Sequence, residues 1–92
     1  MTYIAVQWRH SEPNDPVELY SELDANRNEV RKVEIFRDGR AQFADLESQT
    51  GDTRLGVEPV PPLQEISIDP QFAPREITLA EFEAVWRRAK ST

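Results

Sequence analysis

Cysteine is absent from this 92-residue sequence. Its absence excludes a disulfide scaffold, a thiolate zinc site and a cysteine nucleophile, and it fits a reducing cytosol. Histidine occurs once, so no histidine pair is present to build a metal or relay site. No apolar run approaches the ~20 residues of a membrane span. The N-terminus, Met1 to Trp8, has no basic region and is too short for a signal peptide, so a cytoplasmic protein is expected. Glycine is scarce, with three in the chain, and no Gly-rich phosphate loop, Gly-x-Ser-x-Gly elbow or zinc-protease motif occurs. Asp15, Glu18 and Asp24 lack the spacing and central glycine of a calcium loop. The absence of all these signatures points away from an enzyme, a metal site or a cofactor.

What is present is charge, mostly negative. Lys and Arg number 11 against 17 Asp and Glu, a net charge of −6. Each half of the chain carries a net −3, so there is no separate acidic tail. An acidic domain without clustered Lys and Arg is a poor direct binder of nucleic acid and a better partner for a basic protein. The length sets one small domain, residues 1–92, with a modest core. Its candidate members are Ile4, Val6, Trp8, Leu19, Leu23, Val33, Ile35, Phe43, Leu63, Ile66, Phe72, Leu79, Phe82, Val85 and Trp86.

Alternation marks the strands. Tyr3 to His10 places Ile4, Val6, Trp8 and His10 on one face and Tyr3, Ala5, Gln7 and Arg9 on the other. Ser11 to Pro16 is loop chemistry. Val17 to Asp24 alternates again. Asn28 to Arg37 is a third strand with an impure pattern, which a bulge or cover on both faces would explain. Asp38-Gly39 is a tight-hairpin signal of the type I′ kind, leading into a fourth strand from Arg40 to Leu46. Glu47 to Gly56 is a polar loop, and Glu58 to Pro62 is an extended proline segment. That segment is either a ligand for an aromatic groove or a stiff connection over the sheet edge. Pro62 opens a short helix, Leu63 to Ile68, and Phe72 is an anchor between prolines. Thr78-Leu79-Ala80-Glu81 is a capping box. It starts a terminal helix with the stripe Leu79, Phe82, Val85, Trp86 and Ala89, and with Glu83 and Arg87 paired on the solvent side. The expected fold is α+β: a four-stranded antiparallel β-meander packed against a C-terminal α-helix, with a short helix before it.

Three constellations bear on function. The first is the charged strand block, where Glu18, Tyr20, Glu22, Arg31, Lys32 and Glu34 alternate with apolar residues. It reads either as a recognition face for a charged partner or as an internal ion-pair lattice. Glu22 and Glu34 are flanked by cations, a setting opposite to the one a general acid needs. The second is His10, Tyr20, Glu22 and Arg31 as a small-enzyme or anionic-ligand site. Arg31 would hold an anion and His10 would move a proton. The plainer reading of His10 is a strand-end histidine bonded to backbone. The third is self-association through a sheet edge or the terminal helix, giving a monomer or a weak homodimer.

The order Tyr3-Ile4-x-Val6-Gln7-Trp8-x-His10, Pro16-x-x-Leu19-Tyr20-Ser21-Glu22-Leu23-Asp24 and Arg27-x-Glu29-x-Arg31-Lys32-Val33-Glu34-Ile35-Phe36-x-Asp38-Gly39 resembles a family of small acidic bacterial proteins catalogued as a domain of unknown function. Pro61-x-Leu63-x-Glu65-Ile66 and Ile77-x-x-x-Glu81-Phe82-Glu83-x-Val85-Trp86 extend the resemblance over most of the chain. It implies a stand-alone bacterial domain and brings no established activity. By analogy of size and charge, some such proteins are immunity proteins against secreted toxins. The expected function is accordingly a protein-binding module, an immunity or antitoxin-like inhibitor that occludes a basic partner through its charged sheet face.

Overall fold

The alternating segments form a meander. In the computed structural model, which describes residues 1–91, β1 spans Thr2–Trp8, β2 Glu18–Leu23, β3 Glu29–Ile35 and β4 Ala41–Asp45. A short helix α1, Leu63–Ile66, precedes β5, Phe72–Ile77, and the terminal helix α2 covers Leu79–Lys90. The sheet is antiparallel throughout, in the order β4-β3-β2-β1-β5. The meander and the C-terminal helix agree with the sequence reading. β5 is an addition to it, returning beside β1 with Val6 opposite Pro74. Proline is tolerated there because β5 is an edge strand. The Gln71 carbonyl accepts from Arg9 N–H at 2.7 Å, so by alternation the nitrogen of Pro74 faces the free edge.

The two tight turns of the meander, β2–β3 and β3–β4, each use a three-residue loop. Phe36 N–H donates to the Arg40 carbonyl (2.8 Å) and Gly39 N–H to the Phe36 carbonyl (2.9 Å), with Gly39 at φ +90°. This is a turn followed by a left-handed bulge residue, one residue longer than the type I′ loop that Asp-Gly implies. The β2–β3 turn repeats the pattern, with Arg27 N–H donating to Asp24 (2.9 Å) and Asp24 N–H to Asn28 (3.0 Å). Here the left-handed position is filled by Arg27, at φ 63°. A non-glycine residue there is strained, and the Arg27 side chain accounts for its presence. Its Nε and Nη2 donate to the carbonyls of Val60 and Pro61 at 2.8 and 2.9 Å, and Val60 N–H returns a bond to the Arg27 carbonyl at 2.7 Å. The proline segment is thus clamped to the turn.

The sheet is covered on both faces. α2 lies on the face of Tyr3, Ala5, Tyr20, Val33, Ile35, Ala41, Phe43 and Ile77, with Phe82 and Ala89 buried against it. The face of Ile4, Val6 and Leu23 is covered instead by Val60, Leu63, Ile66 and Phe72. The helix therefore does not pack on the Ile4–Val6 face, which alternation marks as the inward one. Two tyrosines and small alanines make the other face wide and flat enough to take the aromatic stripe of α2. The capping box is formed: Thr78 Oγ1 accepts from Glu81 N–H and Glu81 Oε1 accepts from Thr78 N–H, both at 3.1 Å. Leu79, in the first turn, is 52% exposed and is not a core residue.

Candidate functional site

The charged block folds into two separate clusters, one on each face of the sheet: alternation puts Arg31 opposite in face to Lys32 and Glu34, and a bulge adds Glu29 to the latter. Glu22 faces Arg31, but the next pair is Leu23 with Glu29, leaving Val30 as the extra residue. The shift carries Glu29 to the face opposite Arg31. Glu18, Tyr20, Glu22 and Arg31 lie under α2; Lys32 and Glu34 lie on the other face. The six predicted contact residues therefore do not make one surface.

On the α2 face, Arg31 is the hub. Its Nε donates to Glu22 Oε1 at 2.6 Å and its Nη2 to Glu22 Oε2 at 3.0 Å, a bidentate pair. Nη2 also reaches Glu83 Oε1 on α2 at 2.5 Å. Glu83 thus bonds to the sheet and not to Arg87. Tyr3 adds a hydrogen bond from its hydroxyl to Glu22 Oε2 at 2.9 Å. The guanidinium stacks over Phe82 and Trp86, 4.9 and 5.1 Å from the ring centres. The bonds from Arg31, reinforced by the one from Tyr3, hold the Glu22 carboxyl below the usual carboxylate range, and Glu22 in turn raises Arg31. Burial pushes the Tyr3 phenol up, and the bond to Glu22 adds to it. The neighbouring Tyr20 is pushed up to about 12 by burial and by its 2.7 Å bond to Glu18 Oε2. A notch of about 350 Å³ beside Arg31 is lined by Glu22, Asp45 and Glu47. An anion entering it would meet three carboxylates and an arginine already committed to Glu22 and Glu83. The geometry therefore gives an anionic ligand no purchase on Arg31.

On the opposite face, a polar cluster fastens the long loop after β4. Glu29 accepts from Ser21 Oγ at 2.8 Å and from Gly56 N–H at 2.6 Å. Lys32 Nζ lies 3.8 Å from Glu29 and 3.7 Å from Glu34, and donates to the Arg54 carbonyl at 3.2 Å. Thr53, 1% exposed, donates its hydroxyl to Glu34 Oε1 at 2.6 Å. Residues 47–56, expected as a plain polar loop, therefore seat a buried threonine on the sheet. Among the described residues no buried side-chain nitrogen or oxygen lacks a partner. The two clusters form a closed lattice with little left for an outside partner.

His10 belongs to neither cluster. Its Nε2 lies 2.7 Å from the Pro16 carbonyl, its Nδ1 accepts from Glu12 N–H at 3.0 Å, and its ring packs on Trp8 with centroids 4.4 Å apart. Both ring nitrogens are thus occupied by backbone. Trp8 in turn packs on Phe72, on the face away from α2. His10 and Arg31 lie towards opposite ends and opposite faces of the sheet, so His10, Tyr20, Glu22 and Arg31 form no common pocket. Among the described residues no group of three or more His, Asp or Glu side chains is arranged to hold a metal ion. No helix there is long and apolar enough to cross a membrane.

A family model described as "Domain of unknown function (DUF6881)" matches residues 2–91. The chain belongs to the DUF6881 family. No match was found among curated proteins or among solved structures.

In this DUF6881 domain the largest group of unpaired carboxylates lies on the segment that covers the second face, with Glu12, Asp15 and Glu76 unpaired elsewhere among the described residues. Residues 47–71 hold five carboxylates, Glu47, Asp52, Glu58, Glu65 and Asp69, against one arginine, Arg54. That is −4 of the total −6. Arg54 points its Nη1 at the Gly51 and Thr53 carbonyls, at 3.2 and 3.0 Å. The carboxylates of Glu47, Asp52, Glu58 and Glu65 have no hydrogen bond or ion pair among the described residues. Most cations outside the lattice are occupied elsewhere: Arg27, Arg37 and Arg88 on backbone carbonyls, Arg40 and Lys90 over aromatic rings. Sequence reasoning missed this surface because dividing the chain at its midpoint spread the charge evenly. The signal was the lone arginine in 25 residues of proline-rich loop.

Proposed function

We propose that this domain is a protein-binding module whose acidic cover, residues 47–71, occludes a basic surface of a partner protein in the cytoplasm. The reading keeps an immunity-like mode of action and moves the contact from the β2–β3 block to the cover. One observation carries it: the carboxylates of the sheet clusters are tied to Arg31 and Lys32, while the cover, with a net −4, leaves four of its five carboxylates without a partner. Carboxylates arrayed in this way steer a basic partner into place and set a salt-sensitive association rate. Glu34 contributes indirectly, by holding Thr53 and hence the cover in position.

The free sheet edges argue against strand addition as the binding mode. β5 presents Pro74 on its outer side. β4 is capped by residues 48–50, with Asp45 N–H donating to Ser48 and Thr50 N–H to Phe43, both at 2.8 Å. The test is capture of partners from cells of the native host with the tagged domain at low salt, followed by a step to about 1 M salt, where the screening length falls to about 3 Å. The expected result is one stoichiometric basic protein released by salt. An eluate without such a protein overturns the proposal.

A further inference from the structure

Beside the acidic cover runs an apolar groove. It has a volume of about 340 Å³ and is floored by Val6, Leu19, Pro61, Ile66 and Phe72. Glu65 and Asp69 line it as well, and both are exposed. The Glu65 carboxylate has no partner among the described residues. Asp69 uses only one oxygen, accepting from Gln71 N–H at 2.9 Å. The groove is at the small end of ligand sites, with room for one large apolar side chain or two small ones.

We infer that this groove binds a segment of a partner protein in which an apolar side chain is flanked by Lys or Arg. The inference rests on the proposed function and names the anchor of that contact. Charge decides the occupant. An apolar floor takes an apolar side chain, and carboxylates at the lip require cations beside it. A second copy of this chain is excluded by the same argument, because each copy carries −6 and would bring its own acidic cover against this one. An anionic lipid or nucleotide is repelled on the same grounds.

Three synthetic hexapeptides test it by NMR titration of the intact domain. One has Leu-Phe between pairs of Lys and Arg, one has Ser-Ser between the same cations, and one has Leu-Phe between pairs of Glu. The first is expected to move the signals of Val6, Leu19, Ile66 and Phe72 saturably, the second to bind at least tenfold more weakly, and the third not to saturate. The double variant Glu65→Lys with Asp69→Asn, which leaves the oxygen that caps Gln71, is expected to weaken the first peptide about tenfold while keeping the parent's melting temperature. Equal binding of the Leu-Phe and Ser-Ser peptides overturns the inference, as does unchanged binding to the double variant. If a salt-released basic protein is captured equally by the parent and by a folded Ile66→Ser variant, which alters the floor and keeps the cover's charge, the groove inference fails and the proposed function stands. If the peptides behave as expected but no such protein is captured, the proposed function fails and the groove's specificity stands.

Discussion

Replacing Arg31 by Met keeps the length and apolar stem of the side chain and removes its charge. Arg31 and Glu22 are 21% and 10% exposed at the side chain, and Glu83 is 31% exposed. Removing one partner of a buried pair costs roughly 3–5 kcal/mol, because the other charge is left uncompensated. Partial exposure places this case at the lower end, about 3 kcal/mol. Loss of the stack on Phe82 and Trp86 adds about 0.5–1 kcal/mol, part of which the Met sulfur recovers. A domain of this size has on the order of 5–14 kcal/mol in total, so Arg31→Met removes about a fifth or more of its stability. In urea, with a slope of about 1–1.5 kcal/mol per molar, the midpoint should fall by about 2–3 M. The pH dependence gives a sharper test. In the parent, Glu22 is held below its ordinary value, so its contribution is present above about pH 4.3 and is lost as pH falls through the folded value. In Arg31→Met, burial without a cation raises Glu22 instead, so protonation relieves the variant. Its stability should rise between pH 6 and about pH 4, while the parent's does not. Glu83→Gln, which leaves the Glu22 pair intact, should cost under about 1 kcal/mol. A loss below about 1 kcal/mol in Arg31→Met, or parallel pH profiles for parent and variant, would refute the reasoning.

The other predictions concern the cover and the tyrosines. Thr53→Val fills the same space without the hydroxyl that reaches Glu34, so it should cost about 1–2 kcal/mol in a urea melt and speed hydrogen exchange in residues 50–56. Arg27→Gly relieves the left-handed backbone by about 1 kcal/mol but deletes the bonds to Val60 and Pro61. Its global stability should change little, while proteolysis within residues 56–62 accelerates; an unchanged cleavage rate would show that the clamp does not hold the segment. Tyr20 is raised to about 12, so its contribution is complete below the ordinary value near 10 and is lost as pH rises towards 12. The parent should therefore lose on the order of 1–2 kcal/mol across that alkaline window, and Tyr20→Phe should flatten the loss.

How far the chain could be read depended on whether a feature was local. The meander and the capped terminal helix follow from alternation and from Thr78 and Glu81, which need only their neighbours. The impure pattern of Asn28–Arg37 was a true signal of both a bulge and a two-sided cover. β5 was hidden because Pro70 and Pro74 bracket Phe72, and only an edge position with its nitrogen outward reconciles proline with a strand. Arg27 gave no turn signal, since arginine is not a left-handed residue; its reason lies 33 residues away, at Val60. Glu83 read as a partner for Arg87, one helical turn on. Its actual partner, 52 residues earlier, is visible only once α2 is laid on the sheet. For the candidate site, Glu22 and Arg31 were legible as a facing pair, but not as a buried one. The acidic cover was not legible, because its meaning depends on which other charges are neutralised.

The central claim is that free charge on the cover, and not the paired block of β2 and β3, makes the contact. The most direct measurement compares two variants with the parent for affinity to the captured basic protein at low salt. One is Glu58→Gln with Glu65→Gln; the other is Glu22→Gln, checked to be folded. The account predicts a loss of affinity of tenfold or more in the cover variant and a change within about twofold in Glu22→Gln. The reverse order, with the Glu22 variant losing binding and the cover variant keeping it, would contradict it.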